Sequence, residues 1–150
     1  FSATSAKVEE VKKAINDGVD ELDMVINLSA LKNNDEKFLR NDIDSVLTAT
    51  RWGNKILKVI IETAALSKFE IVKACQLCAD LDVDFVKTST GLHSAGGASV
   101  KAVELMRDNL PDKVKIKASG GVKTKDFAQK LIDAGADRIG TSSGVEIIEK

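Results

Sequence analysis

Apolar and polar positions along the chain follow two alternating rhythms. Five short runs rich in β-branched and aromatic residues read as strands: "DELDMVIN" (20–27), "ILKVIIET" (56–63), "VDFVKTSTG" (83–91), "VKIKASGG" (114–121) and "DRIGTSSG" (137–144). Between them, apolar residues return at three- and four-residue steps, the period of an amphipathic helix. In "SAKVEEVKKAINDG" these are Val8, Val11, Ala14 and Ile15, with Ser5 as the predicted N-cap and Gly18 as the stop. "FLRNDIDSVLTATRWG", "SKFEIVKACQLCADL", "ASVKAVELMRDNL" and "TKDFAQKLIDAG" carry the same period, and Pro111 follows the fourth helix where it cannot continue it. Three helix exits echo one another: "DGVDELD", "DLDVDFV" and "DAGADRI". Each passes through a residue that tolerates left-handed backbone, namely Gly18, Asp82 and Gly135, into an apolar strand.

Strands recurring every 23 to 36 residues or so, with helices between them, predict βα units on a parallel sheet. No linker interrupts the series, so residues 1–150 read as one domain. Open doubly wound sheets and closed barrels share this rhythm. No GxGxxG or GxxxxGK[ST] follows any strand, which removes the common nucleotide-binding fingerprints. Polar residues gather instead at the C-terminal ends of strands, where barrel enzymes build their sites. A (β/α)8 barrel needs eight units and typically about 250 residues. The expected fold class is therefore α/β, with five βα units that form either a five-unit sheet or part of a (β/α)8 TIM barrel.

Strand side chains alternate between faces. In the first strand Leu22, Met24 and Ile26 form the apolar set that should meet the helices, which leaves Asp23, Val25 and Asn27 on the inner face. In the third, Phe85, Lys87 and Ser89 share a face; in the fourth, Lys115, Lys117 and Ser119 oppose Val114, Ile116 and Ala118. Parity thus sends one carboxylate and two lysines into the same interior from three strands. A structural ion-pair network is one reading of that set. Amine catalysis is the other: a desolvated lysine, or one beside a second cation, has a lowered pKa and can attack a carbonyl. Parity does not decide which lysine attacks.

A second set is rich in glycine and hydroxyls. "SGG" (119–121) ends the fourth strand, and "GTSSG" (140–144) ends the fifth and opens "VEIIEK". Glycines admit an anion to backbone N–H groups, hydroxyls donate to it, and a helix N-terminus adds a favourable dipole. Two such loops on neighbouring strands point to phosphate rather than to ordinary turn chemistry. Trp52 is expected to pack at a helix end and "LKNNDEK" to form a solvated loop; Glu62 either reaches the site or caps the next turn.

Composition narrows the classes further. The 150 residues are 43% hydrophobic, enough for a core, and the net charge is −1 with 30% charged residues. No basic stripe suggests nucleic acid, and no apolar run approaches the roughly 18 residues of a membrane span. Nothing at Phe1 resembles a signal peptide. Cys75 and Cys78 lie within a helical pattern without a second pair, so they read as unpaired thiols of a reducing cytoplasm. His93, the single histidine, falls in a loop by composition, and metal catalysis is not expected.

At these residues the chain resembles the deoxyribose-phosphate aldolase family, class I aldolases built on the (β/α)8 barrel. The resemblance runs in order through "DGVDELDMVIN", "LKVIIET", "DFVKTSTG", "KIKASGG" and "AGADRIGTSSG". It implies that Lys87 forms the Schiff base, that Lys117 lowers its pKa, and that Asp23 takes part in proton transfer. It also implies phosphate contacts from Gly120, Gly121, Gly140, Ser142 and Ser143, with Thr90 nearby. Lys123 follows "GGV" where the family often has arginine, which keeps a charge but loses a bidentate fork. The implied reaction is reversible cleavage of 2-deoxy-D-ribose 5-phosphate to acetaldehyde and D-glyceraldehyde 3-phosphate, without metal or organic cofactor, in a cytoplasmic homodimer. The alternatives are another class I aldolase or transaldolase, or a non-catalytic phosphate-sugar-binding barrel fragment. The family carries about three further strands before the point matched by Phe1, so the chain is expected to be the C-terminal portion of a barrel whose first residues lie at a strand exit.

Overall fold

The computed structural model describes residues 3–149. Helix α1 (Thr4–Asn16) leads to β1 (Glu21–Val25), α2 (Leu28–Lys32) and α3 (Glu36–Trp52). Strand β2 (Ile56–Ile60), a single 3-10 turn (Thr63–Ala65) and α4 (Lys68–Asp80) follow, then β3 (Phe85–Lys87) and α5 (Val100–Asp108). The described chain closes with β4 (Lys115–Ser119), α6 (Lys125–Asp133), β5 (Arg138–Gly140) and α7 (Gly144–Glu149). The five strands form one parallel sheet in the order β1-β2-β3-β4-β5. All five predicted strands and all five predicted helices are present. The expected strand exit at Phe1 and Ser2 lies outside the described residues.

Local chemistry accounts for the boundaries. Gly18, Asp82 and Gly135 all adopt positive φ at helix exits, as the three echoing segments require. The aspartates of the next strand have a second use. Asp84 accepts the backbone N–H of Leu57 at 2.9 Å, and Asp137 that of Ile116 at 2.8 Å, each tying a strand to its neighbour at the entrance end of the sheet. Ser67 and Glu70 form a reciprocal capping box that starts α4.

Four local expectations fail for identifiable reasons. Ser5 does not cap α1; the cap position falls two residues earlier, at Ala3, and the helix begins at Thr4. Asn27 is not a strand residue but the N-cap of α2, its side chain accepting from the Ala30 N–H at 2.9 Å. Part of "LKNNDEK" is helical, because Leu31 is buried in α2 and Asp35 caps α3. Trp52 stands at a helix end but does not pack there: it is 90% exposed.

The outer face of the sheet carries the core. Val59, Ile61, Val86, Ile116 and Ala118 are fully buried against Leu39, Ile43, Val46, Leu47, Met106 and Leu131 from the helices. The inner face is charged, and its geometry reports how the sheet is bent. Arg138 of β5 reaches Glu21 of β1 at 2.6 Å. In a flat sheet these strands would stand four spacings of about 4.8 Å apart, beyond the combined reach of the two side chains. The sheet is therefore curled into a trough, with the two outer strands facing each other across it.

Glu21 also takes Lys58 at 2.8 Å, and its carboxyl is drawn from an ordinary 4.5 to about 2, first by the hydrogen bond from Arg138 and then by that from Lys58. A carboxyl depressed on folding stabilises the fold above its unfolded value and loses that contribution as pH falls through its folded one. The melting temperature should therefore drop as pH falls from about 4.5 toward about 2. Glu21→Gln should remove that part of the acid dependence in a series of thermal melts.

Candidate active site

Parallel register puts equivalent side chains of neighbouring strands side by side. Asp23 pairs with Lys58, Lys58 with Phe85, Lys87 with Lys117, and Lys117 with Arg138. The inner face thus gathers Asp23, Lys87 and Lys117, as parity predicts, and adds three charged groups that the sequence reading overlooked: Glu21, Lys58 and Arg138. Lys58 was legible by the same rule, since Ile56, Lys58 and Ile60 share a face of β2.

Asp23 holds a cation on each oxygen. Lys87 donates to Oδ2 at 2.7 Å, and Lys58 lies 3.1 Å from Oδ1. Burial works to raise the Asp23 carboxyl, but the hydrogen bonds from Lys87 and Lys58 outweigh it and hold the group below its usual range. Lys117 makes no ion pair among the described residues. Its ammonium is disfavoured, first by burial and then by the charge of Lys87, so its pKa falls below the usual lysine value. Of the two neighbouring amines, Lys117 gives up its proton more readily than an ordinary lysine, whereas Lys87 has a carboxylate beside it.

Above these amines lies a cavity of about 330 Å³, lined by Lys87, Lys117, Gly120, Gly121, Gly140 and Ser142 together with Thr90 and Lys123. That volume is at the lower end of small-ligand pockets. Gly120 and Gly121 both have positive φ, which a side chain would resist, and both line this cavity. Three of the predicted phosphate residues have other engagements. Ser143 is outside the cavity lining and donates its N–H to Thr141 Oγ1. The Thr90 hydroxyl donates to Glu62 at 2.7 Å and accepts from the Leu92 N–H. Gly140 leaves room for the lysine: a Cβ there would lie 2.9 Å from Ser119 Cβ and 3.0 Å from Lys117 Cε.

Glu62 does not cap the turn that follows it; its side chain crosses instead to Thr90, which lines the cavity. It is buried with left-handed backbone, and its carboxylate receives both the N–H and the hydroxyl of Thr90. Thr88 ties β3 to β4 in the same region. Its hydroxyl donates to the Ser119 carbonyl and accepts the Ser119 N–H at 3.0 Å. His93 is exposed in the loop after β3, where its Nδ1 accepts the Ala95 N–H. Cys75 and Cys78 are free and buried in α4, and burial pushes the Cys75 thiol up to about 12, so neither is a nucleophile.

A curled parallel sheet with paired amines on its inner face, below glycine-rich strand exits, is the architecture of part of a (β/α)8 barrel. Residues 2–150 match the model of the DeoC/LacD family aldolases, and the chain belongs to that family. It is 51% identical to deoxyribose-phosphate aldolase of Lactiplantibacillus plantarum over 99% of this chain and 69% of that protein. It is 50% identical to deoxyribose-phosphate aldolase of Thermococcus kodakarensis over 97% of this chain and 65% of the other. The chain thus spans about two thirds of the length of these curated relatives. Among solved structures, deoxyribose phosphate aldolase from Aeropyrum pernix, described as a tetramer, superposes with a TM-score of 0.89 at 27% identity, covering 99% of this chain and 62% of that one. An aldolase structure at 41% identity superposes with a TM-score of 0.92, covering 99% and 66%. The expected fold is borne out: the chain supplies five βα units of the barrel class.

The loops that frame the cavity depend on one close backbone approach. Ala98 donates its N–H to the Ser119 and Gly120 carbonyls, both at 3.0 Å, and a Cβ on Gly97 would fall 2.2 Å from Gly120 O. Because the obstacle is backbone, Gly97→Ala should push the two loops apart and cost about 1–3 kcal/mol. Urea denaturation should show that loss, with faster amide exchange at Ala98.

Proposed function

We propose that the chain catalyses reversible cleavage of 2-deoxy-D-ribose 5-phosphate to acetaldehyde and D-glyceraldehyde 3-phosphate through an imine on Lys87. The observation that carries this reading is the unequal pairing of two adjacent amines: Lys87 has Asp23 at 2.7 Å, while Lys117 has a lowered proton affinity and no ion pair among the described residues. Lys117 is then the acceptor for the proton that Lys87 must lose before it attacks. Asp23 stands beside the reacting nitrogen, where an acid–base group can help expel water from the carbinolamine.

The chemistry follows from that arrangement. Neutral Lys87 adds to the open-chain aldehyde at C1, and loss of water gives an iminium. A base removes the C3 hydroxyl proton, the C2–C3 bond breaks, and its electron pair moves onto the iminium to form an enamine. Counting carbons requires that bond, since a two-carbon aldehyde and a three-carbon phosphate separate there. Protonation of the enamine at C2 and hydrolysis of the imine release acetaldehyde and restore the amine. Gly120, Gly121, Ser142 and Lys123 line the cavity, and in this reading their N–H groups, hydroxyl and ammonium take the phosphate. Ser143, Thr90 and Gly140 serve this role indirectly, by shaping the loops and making room for Lys117.

Residues 1–150 act in this reading as the C-terminal five units of one barrel domain, in a homo-oligomer. The unpaired thiols Cys75 and Cys78 suit a reducing cytoplasm. Borohydride added with substrate should fix a covalent adduct on Lys87, located by peptide mass spectrometry. Lys87→Met should abolish it. Lys117→Met should move the rise of trapping with pH to higher pH, because the neighbouring proton acceptor and cation are gone. A folded protein that yields no adduct would overturn the reading, and an adduct on Lys117 would reassign the nucleophile.

A further inference from the structure

Lys58 is one of the most buried charged residues of the protein, with 5% of its side chain exposed, and it does not line the cavity. Lysine is rarely so enclosed unless its charge is matched on the spot. It is matched twice, by Glu21 at 2.8 Å and by Asp23 at 3.1 Å. Glu21 is shared in turn, since the oxygen that takes Lys58 also takes Arg138 at 2.6 Å. The Arg138 guanidinium is itself held over the Phe85 ring, 4.6 Å from its centroid. A string of alternating charge therefore runs across the trough, Arg138–Glu21–Lys58–Asp23–Lys87.

We propose that Lys58 is a positioning residue for the Asp23 carboxylate, and that the Arg138–Glu21 pair sets how strongly Lys58 acts on it. The inference rests on the imine reading above. A carboxylate can turn about its last bond and present either oxygen. With Lys58 on Oδ1, Oδ2 is the oxygen left facing Lys87, the atom where a proton must be taken or given. Glu21 moderates this clamp. By sharing Lys58, it keeps that ammonium from committing its whole charge to Asp23. Had the string only a structural purpose, two ionic groups could be replaced by apolar ones of similar volume with little loss, and the pH response of the site would not move.

Asp23 is surrounded by Lys58 on β2, Lys87 on β3 and Lys117 on β4, with Arg138 on β5 reaching it through Glu21. On its open side, Lys7 and Glu10 of α1 line the adjoining groove, and Lys7 is already paired with Asp42 at 2.6 Å. The two neighbours in the string should have opposite effects. Removing the Lys58 cation raises the proton affinity of Asp23, so the acid limb of the kcat profile moves to higher pH. Removing the Glu21 anion frees Lys58 to act fully on Asp23, so the limb moves to lower pH.

The test is the pH dependence of kcat for wild type, Lys58→Met, Lys58→Arg and Glu21→Gln, with borohydride trapping on each protein. Lys58→Met should lose kcat on the order of a hundredfold from misplacement of Asp23. Its KM should stay near wild type, its acid limb should shift upward, and Lys58→Arg should recover part of the loss. Glu21→Gln should shift the limb downward and decides the matter alone if Lys58→Met does not fold. If the wild type traps substrate while the folded variants keep its acid limb, or both shift it the same way, the inference is overturned alone. A wild-type protein that traps nothing removes the imine reading and the inference with it.

Discussion

Asp23 is the group on which the interior depends. Parallel pairing in register obliges Lys87 and Lys117 to lie side by side, with Arg138 next in the same row and Lys58 one row away. Four cations on one concave face would repel one another and resist burial. Two carboxylates on β1 make the arrangement tenable, Glu21 taking Arg138 and Lys58, and Asp23 taking Lys58 and Lys87. Lys117 is the cation left over. Its lowered proton affinity is the direct consequence of having burial and a charged neighbour without a carboxylate of its own.

The curvature of the sheet serves the same electrostatics. Only a trough brings β5 close enough to β1 for Arg138 to reach Glu21, and only the small residues at the strand exits allow the loops above it to crowd together. Gly97 passes against Gly120, and Gly140 lets the Lys117 stem run past Ser119. Thr88 and Ser119 lock β3 to β4 through paired hydrogen bonds just above the two amines. The floor is thus cross-linked, and the cavity lies above it.

Much of this was readable from the chain because its signals are periodic. Strand parity separates Met24 and Ile26 from Asp23, and Ile116 and Ala118 from Lys117. The same rule applied to "ILKVIIET" would have placed Lys58 inside. Glu21 and Arg138 were harder. Their meaning lies in a contact across the trough, and strand order and curvature are not encoded in local spacing. The errors at Ser5, Asn27 and Trp52 are of another kind. Each lies at a helix end, where a shift of one residue or a missing neighbour changes the environment completely.

The asymmetry between the two amines is the step from fold to chemistry. Two equivalent lysines in one row would share protons without preference and offer no directed attack. Asp23 breaks that equivalence by standing beside Lys87 and not Lys117, with Lys58 on its other oxygen. The resemblance singled out Lys87 on motif alone, and the geometry supplies a physical reason for the choice. In the proposed reaction, the amine with a carboxylate at hand is the one whose addition, dehydration and hydrolysis steps would have a proton carrier within bonding distance. The amine without one is the better place to leave a proton while those steps proceed.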